Sequence, residues 1–384
     1  MDPYIDAERL DRRHPLTARK LANLRLADRA HAERAEEVVA RPAKVTLQTN
    51  DLCNLACPHC QIPPPEKRAR MDRRVLDRVI EELFPTLIEL HPTNLGEPLL
   101  WPHFEDLCSA LKRFGVLLDL TTNGLLLDEA RLGWITPVAR VVRVSFDGAT
   151  ASTFERLRSG ARFDRVCENT RRLCAATRPG TVALQMTLMR SNYQELAALV
   201  RLAADLGANA VNAYHLFSFR PEWDEESIVG EPELWPPVLD HALSEAARCG
   251  VTLRCAEPAG HVGDVRPTAC HLPWHQAWVD YDGEVLPCHS HGGDSAGNLL
   301  REPFMALWNG ALYRRIRAGH ARSCPTWRCD GCGMNFEKRS EHAPVPYDVE
   351  AFVSPEGRRG LPLSPVRWSG RMRPFELVGR RHGR

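Results

Sequence analysis

The stretch that most constrains this chain is Cys53-Asn54-Leu55-Ala56-Cys57-Pro58-His59-Cys60. Thiols at positions i, i+4 and i+7 follow neither one helix face nor one strand face cleanly, whereas a loop can curl all three around an iron-sulfur cube. A [4Fe-4S] cluster takes four thiolate-like ligands and this stretch supplies three, so one iron stays open. A structural zinc loop is the competing reading. Zinc favours a closed shell of four protein ligands, and His59 would have to be the fourth.

The chain holds 13 cysteines. In a reducing compartment so many thiols point to metal or redox chemistry rather than disulfides. They fall into a front group, Cys53, Cys57 and Cys60, and a back group, Cys270, Cys288, Cys324, Cys329 and Cys332. Cys108, Cys167, Cys174, Cys249 and Cys255 lie between and read as small core hydrophobes. With 43% hydrophobic and 26% charged residues over 384 positions, a core can form without disulfide staples. The formal charge of +1 gives no reason to expect a nucleic-acid partner. No apolar run is long enough for a membrane span and the N-terminus lacks a signal-peptide pattern, so a cytoplasmic protein with no membrane partner is expected.

From Thr17, an N-cap candidate, to Ala40 the apolar spacing predicts one or two amphipathic helices. The period then changes. Strands are predicted at 45–49, 87–95, 117–121, 141–146, 182–189 and 210–216. Between them lie helices at 73–83, 104–114, near Leu127, at 161–176 and at 193–206. Six β-α units of this spacing imply an α/β fold with a parallel sheet, closing into a partial (β/α)6 TIM-type barrel. Ligands gather at the carboxyl ends of such strands. The cysteine loop, Leu95-Gly96-Glu97-Pro98, Thr121-Thr122-Asn123-Gly124 and Ser145-Phe146-Asp147-Gly148 all fall there. A polar and aromatic excursion at 217–233, holding Trp223 and Glu226, is placed to line a substrate mouth. Beyond it come a helix at 235–247, a strand at 251–255 and a hairpin at 277–286 turning on Asp282-Gly283. A helix at 304–318 follows.

The C-x3-C-x2-C spacing, together with these rim motifs, resembles that of the radical S-adenosylmethionine enzymes. The resemblance implies that S-adenosylmethionine chelates the open iron of a [4Fe-4S] cluster held by Cys53, Cys57 and Cys60. One electron from that cluster then yields a 5'-deoxyadenosyl radical, which takes hydrogen from an unactivated C–H bond. Leu95-Gly96-Glu97 resembles the family's Gly-Gly-Glu motif, assigning Gly96 and Glu97 to the cofactor's ammonium, with Leu95 in place of the first glycine. Ser145 matches the strand-four position that meets the ribose. Asp147 and Asn123 stand nearby on the rim as further cofactor contacts.

Cys270, Gly283, Cys288 and the Cys329-x2-Cys332 pair resemble the SPASM or twitch auxiliary-cluster module of one branch of that family. The resemblance implies a second [4Fe-4S] cluster on Cys270, Cys288, Cys329 and Cys332, with Cys324 either replacing Cys329 or left over. The expected domains are an N-terminal helical extension (1–43), the barrel (44–259), a small auxiliary module with hairpin and helix (260–335) and a Pro- and Arg-rich tail (336–384).

A fully ligated second cluster fits electron transfer. The expected reaction is therefore oxidation of an alcohol to a ketone on a small sugar-like or aminocyclitol substrate, as in aminoglycoside antibiotic biosynthesis. A flavodoxin- or ferredoxin-type donor would supply electrons. Oxidation also needs a base, for which His215, Asp147 and Glu226 are candidates. Cys255 is the candidate hydrogen donor for a redox-neutral epimerase. Dehydration or decarboxylation of a sugar-like substrate, crosslinking of a ribosomally made peptide, and a zinc-stabilised binding protein are the alternatives.

Overall fold

Strands that bury one face against helices and turn the other to a polar lumen carry a period-two pattern, and this chain shows it strand after strand. The computed structural model describes residues 16–60, 69–93, 95–178, 180–216, 221–228, 231, 233–255, 270–288 and 294–321. Its strands are β1 (Lys44–Leu47), β2 (Glu89–His91), β3 (Leu117–Thr122), β4 (Ala139–Ser145), β5 (Val182–Leu188), β6 (Ala210–His215), β7 (Thr252–Cys255), β8 (Gln276–Val279) and β9 (Val285–Leu286). They form one sheet in the order β7-β6-β5-β4-β3-β2-β1-β8-β9. Every pair from β7 to β8 is parallel, and only β9 runs antiparallel, against β8.

The intervening helices are α1 (Ala18–Ala32), α2 (Arg73–Glu82), α3 (Phe104–Phe114), α4 (Glu129–Ile135), α5 (Ala151–Leu157), α6 (Phe163–Ala176), α7 (Leu196–Leu206) and α8 (Trp235–Cys249). Val45, Leu90, Leu118, Val144, Leu184, Val211 and Leu253 project from the outer face of the sheet. They pack with helix residues such as Val75, Leu107, Val166, Leu199 and Leu239 into one core. Each fully buried aliphatic side chain contributes about 1.5–3 kcal/mol, so this layer supplies the main folding force. On the lumen face the floor is polar. Asp119 meets Arg143, Lys44 Nζ at 3.2 Å and His91 Nδ1 at 3.3 Å, while Glu89 pairs with Lys44 at 2.7 Å and with Arg140. Burial opposes ionisation of Asp119, but Arg143, Lys44 and His91 outweigh it and hold the carboxyl well below its usual range.

The elements depart from expectation in instructive places. Thr17 does cap α1, its hydroxyl accepting from Lys20 N at 3.3 Å. The helix stops at Ala32, however, and Arg34 takes a positive φ of 53° just beyond. The predicted helix at 193–206 opens with a 3-10 turn, Tyr193–Glu195. The strand predicted at 251–255 extends the parallel sheet as a seventh strand, β7. The hairpin forms with Gly283 at φ 88°, but its first strand also pairs with β1, so the barrel sheet runs on into the segment predicted as an auxiliary module. Local alternation says nothing of such a distant partner. One short helix, α9 (Leu272–His275), precedes the hairpin, and two more, α10 (Phe304–Trp308) and α11 (Ala311–Ala321), follow it. Arg317 ties them together, donating to the carbonyls of Pro273, Trp308 and Glu36.

Candidate active site

The cysteine loop leaves β1 through Gln48, Thr49 and Asn50, all buried. Gln48 Nε2 donates to Asp51 Oδ1 (2.6 Å) and Leu95 O (3.2 Å), while Gln48 Oε1 accepts from Leu95 N (3.1 Å). One side chain thus clamps the start of the loop to the turn after β2. Gly96 stands against that start with φ 82°, and a Cβ on it would lie 2.6 Å from Asn50 O and 2.8 Å from Leu52 O. Only glycine allows this approach. It lets Glu97 N donate to Leu52 O at 2.6 Å. Leu95, at the first motif position, spends its carbonyl on Gln48 and on Thr93 Oγ1 at 2.7 Å.

Glu97 is buried and bridges to the next strand end. Its carboxylate accepts from Thr122 Oγ1 and from Asn123 N, both at 2.7 Å. Burial raises its pKa, partly offset by those two donors. Asn123 turns back toward the cysteines, with Nδ2 2.8 Å from Asn54 Oδ1 and 3.8 Å from Cys53 Sγ. Three rims, after β1, β2 and β3, therefore converge on Cys53.

The fourth rim reaches the other end of the loop. Asp147 is fully buried, and its Oδ1 accepts from Thr187 N at 2.8 Å. Its Oδ2 lies 3.2 Å from His59 Nε2 and 2.6 Å from Arg158 Nε. Burial alone would raise this carboxyl, but Arg158 and His59 pull it down to about 2. Asp147 is therefore a fixed anion, engaged on both oxygens, and not a base waiting for a proton. Arg158 follows α5, and the next residue, Ser159, accepts from Ala56 N at 2.9 Å. Trp223 clasps the loop from the excursion, donating through Nε1 to Pro58 O at 3.2 Å.

The structure brings together Cys53, Cys57, Cys60, Gly96, Glu97, Asn123 and Asp147, with buried Ser145 one register step below Asp147 on the same lumen face. It does not bring His215 or Cys255 there. Register pairs His215 with Leu188 and Cys255 with Ala213, all on the outer, helix-covered face. The His215 ring meets Trp235 of α8 at 4.9 Å, and burial lowers its pKa to about 4. Cys255 lies in the apolar core. Both sit one residue out of phase with the lumen, which strand parity decides. Glu226 closes a loop instead, its carboxylate accepting from Ser191 N at 3.0 Å. Cys270 and Cys288 are half-buried. Cys324, Cys329 and Cys332 lie outside the described residues. Sequence reasoning missed Gln48 and Arg158. Gln48 was legible as a polar residue ending a buried strand, whereas nothing local marked Arg158.

These residues fit an iron-sulfur cluster. Burial, then the charges of Glu97 and Cys60, raise the Cys53 thiol, and burial pushes Cys57 up to about 11, with Arg158 the strongest opposing charge. Thiols that disfavour one another's ionisation are a set that a cationic cluster relieves. Among the described residues no three His, Cys, Asp or Glu side chains converge tightly enough to chelate a single ion. In a cube each thiolate takes its own corner iron, so the sulfurs stand apart.

A model of the radical SAM superfamily matches residues 47–203, and one of the SPASM iron-sulfur cluster-binding domain matches residues 270–333. The chain belongs to the radical S-adenosylmethionine enzymes that carry a SPASM module, and its cofactors are S-adenosylmethionine and [4Fe-4S] clusters, an auxiliary one included. Among curated relatives, the PqqA peptide cyclase of Gluconobacter oxydans is 26% identical over 260 residues, covering 65% of this chain and 70% of its own. Mycofactocin maturase MftC of Mycobacterium tuberculosis is 25% identical over 319 residues, 78% of each chain. Streptococcus suis SuiB, solved with its precursor peptide SuiA, shares the fold with a TM-score of 0.60 at 13% identity, covering 78% of this chain and 71% of its own.

Curated relatives named as peptide cyclases overturn the expectation of an alcohol oxidase or dehydrogenase for a sugar-like or aminocyclitol substrate, and the antibiotic and aminoglycoside context falls with it. The physical reason is that the cysteine sets speak of electrons and not of the carbon attacked. Among the described residues no helix is long and apolar enough to cross a membrane.

Proposed function

We propose that this protein modifies a ribosomally made precursor peptide by hydrogen abstraction. The observation that carries the reading is the naming of the PqqA peptide cyclases, which align with this chain over most of both chains. The site's shape is consistent with it. Among the described residues the sheet ends at β7 on one side and β9 on the other without closing into a ring. Gln185, Asn212 and Arg254 stand in register across β5 to β7, facing the lumen as a polar row that suits the amides of an extended chain.

In this reading Cys53, Cys57 and Cys60 hold the first cluster, and Cys270 and Cys288 contribute to the auxiliary one with Cys332 and either Cys329 or Cys324. The backbone of Gly96 and the carboxylate of Glu97 take the ammonium of S-adenosylmethionine, Arg158 its carboxylate and Ser145 its ribose. When bound, that cofactor supplies removal of a hydrogen atom from an unactivated C–H bond. Asn123 orients Cys53 through its N–H···S contact. Trp223 keeps the loop seated and helps exclude water.

The test is anaerobic reconstitution with iron and sulfide, then incubation with S-adenosylmethionine, dithionite and the synthetic product of a short open reading frame beside the gene. A peptide of altered mass, with 5'-deoxyadenosine formation stimulated by that peptide, is the expected result. An unmodified peptide, with 5'-deoxyadenosine formed equally in its absence, would reject the reading.

A further inference from the structure

Reduction of a cluster held by three thiolates adds one electron, and no proton, to a group that is already anionic. Whether a given donor can deliver that electron depends on the fixed charges around the cluster, because a buried site lacks the water that would screen them. Among the described residues a fixed cation stands there. The Arg158 side chain is 15% exposed and cannot shed its proton. Its Nε is 2.6 Å from Asp147 Oδ2, and that same oxygen is 3.2 Å from Nε2 of His59, which the chain places between Cys57 and Cys60. The backbone that follows Arg158 is tied down as well. Ala56 N donates to Ser159 O at 2.9 Å, and Gly160 packs on Leu55 and Asn54. The Arg158 side chain therefore cannot swing away from the cysteine loop without breaking a buried ion pair, and the backbone that follows it is held to the same loop.

We propose that Arg158 sets the reduction potential of the first cluster, its buried guanidinium making electron entry easier, and that Asp147 limits how much of that charge the cluster feels. Arg158 is in this respect a positioning residue for charge. The electron comes from an external one-electron donor, and the guanidinium offsets the negative charge added to the cluster. The charges of Arg158 and Cys57 act on each other.

The experiment is a redox titration of the full, reconstituted chain without S-adenosylmethionine, followed by electron paramagnetic resonance with dithionite as reductant. The first cluster's signal is the one missing from Cys53→Ala. In Arg158→Gln the ratio of reduced to oxidised cluster at a fixed potential should fall about tenfold, a shift of ~59 mV for one electron. Arg158→Lys, which keeps the charge, should stay nearer the parent protein. Asp147→Asn should move the midpoint the opposite way, toward easier reduction. If Arg158→Gln fails to hold iron, the opposite displacement in Asp147→Asn carries the test. An unchanged midpoint, shifts of the same sign in Arg158→Gln and Asp147→Asn, or loss of iron from all three variants would overturn the proposal. The last outcome would assign the trio to holding the loop.

Discussion

His215 shows how one residue's phase along a strand decides its chemistry. A histidine ending a barrel strand looks like a base, yet its ring is directed at Trp235 in the helix layer. Burial lowers its pKa to about 4, so it is neutral near pH 7. The unfolded chain, with its histidine near 6.5, binds the proton more readily between those values, so stability is present above pH 6.5 and is lost as pH falls toward 4. His215→Leu should remove about 2 kcal/mol of the stability difference between pH 7 and pH 5, read from urea melts at the two values. It should leave formation of the peptide product intact. Loss of product in a folded variant would return His215 to the chemistry. Asp147 carries the complementary lesson: a carboxyl at the right rim, engaged by Arg158 and His59, serves as a charge rather than as a base.

At the scale of elements, the cysteine loop has no regular structure of its own and borrows its shape from its neighbours. Gln48 at the end of β1, Gly96 and Glu97 after β2, Asn123 after β3 and Ser159 after α5 each hold one point of it. The excursion after β6 adds Trp223, whose neighbour residues Glu225 and Glu226 are joined to Arg190 and Ser191 beyond β5. Trp223→Phe keeps a ring in the contact with Leu157, Met189 and Leu216 but deletes the bond to Pro58. A neutral hydrogen bond is worth about 1 kcal/mol, so iron should pass to a chelator about fivefold faster from this variant. Equal rates would mean that the excursion merely covers the loop. Much of this scale was legible in the sequence, because glycine turns and polar strand ends mark the rims. Arg158 was not, since a C-terminal helix residue among many surface arginines carries no local sign of burial.

For the whole molecule, the sheet links the first cysteine loop to the segment that holds Cys270 and Cys288, more than 200 positions further along the chain. The pairing of β8 with β1 puts the start of the auxiliary segment on the same sheet as the first cysteine loop. Cys270→Ala combined with Cys288→Ala should lower iron from about eight to about four atoms per chain. Cleavage of S-adenosylmethionine should persist while peptide product is lost. Full product formation by this variant would show that the auxiliary cluster is structural.

By itself the sequence determined the partial, parallel α/β barrel, the three-thiolate loop with its open iron and the existence of a second cysteine set. All of these are written locally, in hydrophobic period, in ligand spacing and in glycines that no other residue replaces. Only the tertiary structure decided which candidates share the lumen. Ser145, Asp147 and Asn123 turn toward it and His215 and Cys255 turn away, because facing depends on strand register against distant partners. The same holds for the cysteine loop at the centre: its thiols name the cluster, while Arg158 and Asp147, brought in from later strands and helices, set the charge around it.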